Sequence, residues 1–245
     1  MINPDYYLRQ LDLINPDRLT KPVLIIGAGN IGSWAALALG KMGCSNITLM
    51  DADTIELHNC STQVYGSRDV GQSKVKAVRS YLARMIEHKP RIIPAAWTAD
   101  TDLLPYRYII SAVDSITVRT DLFNALVAAG HTGVFIDGRM GGNILSIYTV
   151  NLNQTADIEN YRRTLFSASN ALRLPCSAQG TIYNCFIMAG YIADALAQTV
   201  NGRPVPSEIE IDLFNFTNYT TYPAGPGGYS DRGSPPVAFP VLPGT

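Results

Sequence analysis

From residue 22 onward, short runs of β-branched and aliphatic residues alternate with longer stretches whose apolar positions recur every three or four residues. That is the pattern of strand–helix–strand units, and it predicts an α/β fold with a Rossmann-like, mainly parallel sheet flanked by helices. PVLIIG (22–27) reads as a buried strand, NIGSWAALALGKMG (30–43) as the helix after it, and NITLMD (46–51) as the second strand. Residues 72–88 carry Val75, Val78, Leu82 and Ile86 at helical spacing. RIIPAAW (91–97) and YRYIISAVD (106–114) follow as strands, 116–129 as a helix, and GVFIDG (133–138) and ILSIYTV (144–150) as the strands that close the sheet region. Periodicity disappears between 151 and 175, which predicts a mobile crossover loop. A helix from about 179 to 199 comes next. EIEIDLFNF (208–216) then alternates charged and apolar residues, as an antiparallel extension with one wet face does. The expected organisation is one domain over 1–222 and a tail over 223–245. In that tail 11 of 23 residues are Gly or Pro, a composition that predicts an extended arm or disorder.

With 47% apolar and 16% charged residues, the chain has ample material for a core. No stretch approaches the roughly 20 uncharged apolar residues of a spanning helix, and the richest window, 181–200, contains Asn184 and Asp194. The N-terminus lacks a basic region followed by an apolar core, so a cytoplasmic location is expected and a membrane partner is not. A formal charge of -1 provides no global basic field, which argues against nucleic acid as a partner. The four cysteines, Cys44, Cys60, Cys176 and Cys185, form neither a disulfide framework nor a Cys-x-x-Cys pair, so no structural zinc is expected. Cys44 and Cys185 sit in apolar runs and read as core fillers, as His58, His88 and His131 read as structural.

Gly27-Ala28-Gly29-Asn30-Ile31-Gly32 fits G-x-G-x-x-G between a strand and a helix. The first glycine permits the tight turn, the second lets backbone approach phosphate oxygens, and the third allows close packing of helix on strand. Unpaired amides at the helix N-terminus then face an anion. Asp51, ending the second strand, is placed to accept hydrogen bonds from a ribose. These features fit a dinucleotide and ATP alike. Further candidates are Asp53, Asn59, Gln63, the run Asp69-Val70-Gly71-Gln72-Ser73-Lys74, and Asp114 with Arg119. A lysine and a strand-end aspartate converging on the phosphates suit cleavage of a phosphoanhydride rather than hydride transfer, because a cation held by a carboxylate and a positive side chain neutralise developing charge. A solvated helix-surface lysine and a helix N-cap are the bland alternatives for Lys74 and Asp114.

Together with Leu8-Arg9-Gln10, Leu57-His58-Asn59, DVGQSKVKAV, SAVDSITVR and PCSAQGTIYNCFIMAG, the loop region resembles the ThiF/MoeB/HesA family of ubiquitin-activating-enzyme-like adenylyltransferases from about residue 6 to 200. The resemblance implies that ATP activates the C-terminal glycine carboxylate of a small β-grasp, ubiquitin-like or sulfur-carrier protein ending in Gly-Gly. It implies that Gly27, Gly29 and Gly32 lie beside the phosphates and that Asp51 binds ribose. Asn59 and Lys74 would contact phosphate, Asp53 and Gln63 would complete the nucleotide site, and Asp114 would hold Mg²⁺. Arg9 resembles an arginine that reaches the γ-phosphate from the other protomer, which implies a homodimer. Where the family has Asn-x-x-Arg-Gln, this chain has Asn59-Cys60-Ser61-Thr62-Gln63, so a neutral hydroxyl stands in place of a cation. Either another basic residue, such as Arg68 or Arg139, compensates, or adenylation is impaired.

Cys176 opens a helix with Arg173 nearby, both of which favour thiolate. The resemblance implies a nucleophile that forms a thioester, and an inert thiol is the alternative. Cys60, beside the nucleotide loop, is a minor second candidate. Two other functions stay open: adenylation of a tRNA base carboxylate, as in the threonylcarbamoyladenosine dehydratase branch, and a non-catalytic scaffold suggested by Thr62.

Overall fold

A computed structural model describes residues 4–86, 89–165 and 180–223. Cys176, Arg173, His88 and the Gly/Pro-rich tail beyond Pro223 lie outside the described residues. Eight strands form one sheet, β1 (Val23–Ile26), β2 (Ile47–Met50), β3 (Arg91–Ile93), β4 (Tyr108–Ser111), β5 (Val134–Gly141), β6 (Ile144–Asn151), β7 (Glu208–Asp212) and β8 (Thr217–Thr221), in the order β3-β2-β1-β4-β5-β6-β7-β8. The first five in that order are parallel and the last three antiparallel. The mainly parallel α/β sheet is therefore as the sequence predicts, except that the antiparallel part begins at the β5–β6 hairpin, ahead of the crossover.

In the parallel half, β1, β2 and β4 are buried at every position, because helices cover both faces. Val23 and Ile25 face one core with α1 (Gly32–Met42), α2 (Lys74–Met85) and α5 (Ile182–Asn201), while Leu24 and Ile26 face another with α3 (Ile116–Ala128) and α4 (Thr155–Arg162). Helix α1 stops at Gly43, whose φ of 109° is left-handed and whose amide returns to Leu39 and Gly40. Strand β3 is shorter than the run RIIPAAW because Pro94 follows Ile93 and removes a ladder donor. The stretch read as an aperiodic crossover contains α4 at Thr155–Arg162. Two turns anchored by one aromatic leave too little periodicity to read: Tyr161 is buried against Phe123 at 4.5 Å and Phe135 at 5.4 Å, and the Asp157 carboxylate accepts from the Asn151 amide. Among the described residues no helix is long and apolar enough to cross a membrane.

Candidate functional site

The strand order reverses between β1 and β4, and a crevice at the carboxyl ends of such strands is where doubly wound sheets take ligands. The three motif glycines meet there for three different reasons. Gly27 has φ +96°, and a Cβ on it would stand 2.5 Å from the Ala112 carbonyl oxygen; a Cβ on Gly32 would stand 1.8 Å from the Gly27 carbonyl oxygen. Both are packed backbone to backbone. Gly29 faces open space, with only Gln63 Nε2 at 3.9 Å from such a Cβ. Helix α1 starts at Gly32 with no side-chain cap; in its first turn the Ser33 amide donates to the Gly29 carbonyl and the Ala35 amide to that of Ile31, and the end of the helix that faces the loop is the one that favours an anion.

Side chains fix this loop from below. Asp51 Oδ2 accepts from the Ala28 amide and Oδ1 from the Asp53 amide, each at 2.7 Å. Each oxygen keeps lone-pair capacity for a further donor. Tyr65, buried, donates its hydroxyl to the Ala28 carbonyl at 2.5 Å. Thr62 Oγ1 donates to Asn30 Oδ1 at 2.8 Å, and Trp34 Nε1 donates to the Thr62 carbonyl. The position where an arginine was expected therefore holds the loop through a neutral hydrogen bond. Gln63 is buried against Gly29, and its Oε1 has no hydrogen-bond partner among the described residues.

Lys74 opens α2, and its Nζ lies 2.8 Å from Asp53 Oδ2; the lysine side chain is 11% exposed and the aspartate 67%. Their backbones are joined too, since the Lys74 amide donates to the Asp53 carbonyl and Thr54 bridges Ser73. Lys74 is thus a nearly buried cation held by a mostly exposed carboxylate, not a solvated surface lysine. Asn59 is buried and its Oδ1 accepts from the Glu56 amide at 2.9 Å, which leaves its Nδ2 as the donating end. Asp114 follows β4 and is exposed. It does not cap α3: Ser115 does, through Oγ to the Val118 amide. Among the described residues no three His, Cys, Asp or Glu side chains gather into a metal cluster. A magnesium ion fits Asp114 only in the way it usually fits substrate phosphates, with one carboxylate and its other ligands from phosphate and water.

Arg9 is the site residue that the fold keeps apart. It lies in the short helical turn Pro4–Gln10, whose neighbour Gln10 donates to the Met42 carbonyl and whose Tyr6 donates to the Met85 carbonyl. Those are the C-terminal ends of α1 and α2, whereas the glycine loop and Lys74 sit at their N-terminal ends. Eleven residues of helix at ~1.5 Å each put the length of α1 between them.

The two basic residues named as replacements for the missing arginine are held differently. Arg68 is exposed on a short turn. Arg139 is bound: Nε donates to Asp137 Oδ2 at 2.7 Å, its other nitrogens to the Thr164 carbonyl and Oγ1 at 3.0 Å, and its plane lies over Tyr148 at 4.3 Å. Asp137, 0% exposed, also accepts from Tyr161 and pairs with buried Arg119, whose Nε is 3.1 Å from Oδ1 although its N–H does not point along that line. Arg119 in turn donates to the Val113 carbonyl, next to Asp114, and to the Gly138 carbonyl. Asp137 and Tyr65 carry no motif, and sequence reasoning missed both.

Cys44 and Cys185 are buried, and burial pushes their thiols up to about 12 and about 11, as inert core residues require. Cys60 is half-buried, with its Sγ 3.9 Å from the Glu56 carbonyl. His131 is buried between the Tyr106 carbonyl and the Gly133 amide, a structural role, and His58 lies exposed beside Glu56.

The sequence matches the ThiF family over residues 9–224. It is 31% identical over 133 residues to the molybdopterin-synthase adenylyltransferase of Escherichia coli K12, covering 52% of this chain and 53% of that one. To the tRNA threonylcarbamoyladenosine dehydratase of the same organism it is 29% identical over 128 residues, covering 50% and 47%. The chain spans about half the length of these curated relatives. The fold is shared with a crystal structure of PaaA, at TM-score 0.73 and 20% identity over 89% of this chain and 73% of that one. It is shared equally with E. coli MccB crystallised with ATP, at 0.71 and 17% over 90% and 72%.

Proposed function

The chain belongs to the ThiF family, and from that premise we propose that it binds ATP in the β1–β4 crevice and adenylates the C-terminal glycine carboxylate of a small ubiquitin-like or sulfur-carrier protein. The observation that carries the reading is the meeting, on one rim, of the open Gly29 loop, Asp51 and the nearly buried Lys74. Asp51 accepts from the ribose, the loop amides and Asn59 Nδ2 donate to phosphate oxygens, and Lys74 exchanges Asp53 for the triphosphate. Magnesium, when bound at Asp114, supplies charge neutralisation on the phosphates. A partner carboxylate oxygen attacks the α-phosphorus in line; the bond to the bridging oxygen breaks and pyrophosphate leaves with the electron pair. Arg9, far from its own loop, serves the site of a second copy in a homodimer. The exposed Tyr6, Leu8, Leu11 and Leu13 around it support such an interface. Strand β8 pairs only with β7 among the described strands, so its other edge suits addition of the partner's extended tail. The Cys176 thiolate then attacks the acyl carbonyl to form a thioester, as the bond from that carbonyl carbon to the phosphate oxygen breaks and AMP leaves with the electron pair.

ATP–pyrophosphate exchange with candidate Gly-Gly carriers tests the reading. Exchange that depends on a carrier supports it, and Cys176→Ala spares it while abolishing thioester formation. The likeness to the tRNA-modifying relative supports a second reading, which salt-sensitive tRNA binding with tRNA-dependent exchange would favour. ATP binding with no exchange on either substrate would leave a scaffold, the role that the neutral Thr62–Asn30 bond also suits.

A further inference from the structure

We infer that Tyr65 is a positioning residue for nucleotide phosphate, acting through the Ala28–Gly29 peptide. The inference rests on the nucleotide reading above and concerns how this chain presents its loop without an arginine at position 62. In a trans peptide the carbonyl and the following N–H point in opposite directions. Tyr65 holds the Ala28 carbonyl at 2.5 Å from the protein side, so the Gly29 N–H is turned away from Tyr65. The neighbouring Gly27–Ala28 peptide is fixed as well, because the Ala28 N–H donates to Asp51. Two successive peptide planes are thereby clamped, one by a carboxylate and one by a phenol, under the single motif glycine that faces open space.

The phenol is suited to this task. Tyr65 is 4% exposed, so water does not compete for its hydroxyl. Burial, then the negative charges of Asp51, Asp53 and Asp69, push its ionisation well above the ordinary range, so it stays a donor at any physiological pH. Without the hydroxyl, the Ala28 carbonyl would lose the group that sets its direction, and the Gly29 amide would no longer be held ready for an anion. The nucleoside end of the ligand, which meets Asp51, would be untouched.

The test is calorimetric titration of ATP and of adenosine into wild type, Tyr65→Phe and Val64→Ala, with the Gly29 amide resonance followed in ¹⁵N-labelled protein. Tyr65→Phe is expected to weaken ATP about tenfold, the worth of one hydrogen bond to a charged group, to leave adenosine affinity within about twofold of wild type, and to shift the Gly29 resonance before any ligand is added. Val64→Ala, which loses buried volume next door, keeps the wild-type ratio of ATP to adenosine affinity. Equal weakening of both ligands, or unchanged ATP affinity in Tyr65→Phe beside a wild type that binds ATP, overturns the inference alone. A wild type that binds no ATP overturns the nucleotide reading and the inference with it. If Tyr65→Phe folds too poorly to titrate, 3-fluorotyrosine at position 65 alters mainly the donor strength of the hydroxyl; an unmoved Gly29 resonance then sinks the proposal.

Discussion

Two sets of opposite charges flank the crevice, and they are built on opposite principles. On one side the Lys74 ammonium meets Asp53, a carboxylate 67% exposed, through a single side-chain contact. On the other, Asp137 is fully buried and shared by Arg119, Arg139 and the Tyr161 hydroxyl. A half-exposed pair is worth little and can exchange its partner. A buried one is expensive to open, because each separated charge would sit in a low dielectric without compensation. The difference bears on the proposed roles: Lys74, held by one mostly exposed carboxylate, is the cation proposed to reach phosphate, while Arg119 and Arg139 are held within the buried set. Arg139 is therefore not expected to stand in for the arginine absent at position 62.

The largest effect should come from cutting the locked set. Asp137→Ala leaves two buried arginines unpaired and is expected to cost about 3–5 kcal/mol in urea unfolding, with loss of the native fold as the extreme. A cost below about 1 kcal/mol would mean that the triad is not locked, and would reopen Arg139 as a phosphate ligand. Next comes the chemistry of the loose side. Lys74→Ala should lower ATP–pyrophosphate exchange by at least about 100-fold, the scale of one oriented charge in a phosphoryl-type transition state, while unfolding stability moves by less than about 1 kcal/mol. Asp114→Ala should match it in exchange and, unlike Lys74→Ala, should abolish the dependence on added magnesium. If either variant exchanged at the wild-type rate, the crevice would not be the site of adenylyl transfer.

How far the sequence reveals this arrangement depends on whether a residue acts through a local pattern or a distant one. The strand–helix alternation and the glycine spacing are local, and β1, α1, β2 and the three glycines stand where they were expected, each glycine for its own steric reason. The capping of α3 is local too, yet Asp114 and Ser115 are both capping residue types, and geometry alone chooses Ser115. Helix α4 has only two turns and hides its apolar anchor in a polar run. Tyr65 and Asp137 are illegible for another reason. Their partners are 37 residues away at Ala28 and 18 away at Arg119, and no period or motif encodes a hydrogen bond between a phenol and a particular carbonyl. A buried aspartate in the strand GVFIDG was the one available signal, since a carboxylate in an apolar run demands a partner. The arginines at 119 and 139 were visible but unassigned to it.

The smallest effect tests whether Asp53 releases Lys74 to phosphate. Asp53→Asn removes the negative charge that holds Lys74 and leaves the backbone link from the Lys74 amide to the residue 53 carbonyl in place. The lost pair is mostly exposed on the aspartate side, so unfolding stability should change by no more than about 1 kcal/mol. Its competition with phosphate also disappears, so ATP affinity, read by titration, should stay the same or rise up to about threefold, with most of the gain at low salt, where screening of the pair is weakest. A fall in affinity would mean that Asp53 aims Lys74 at the phosphates rather than merely storing it, and the loose side of the crevice would then be as positioned as the locked one.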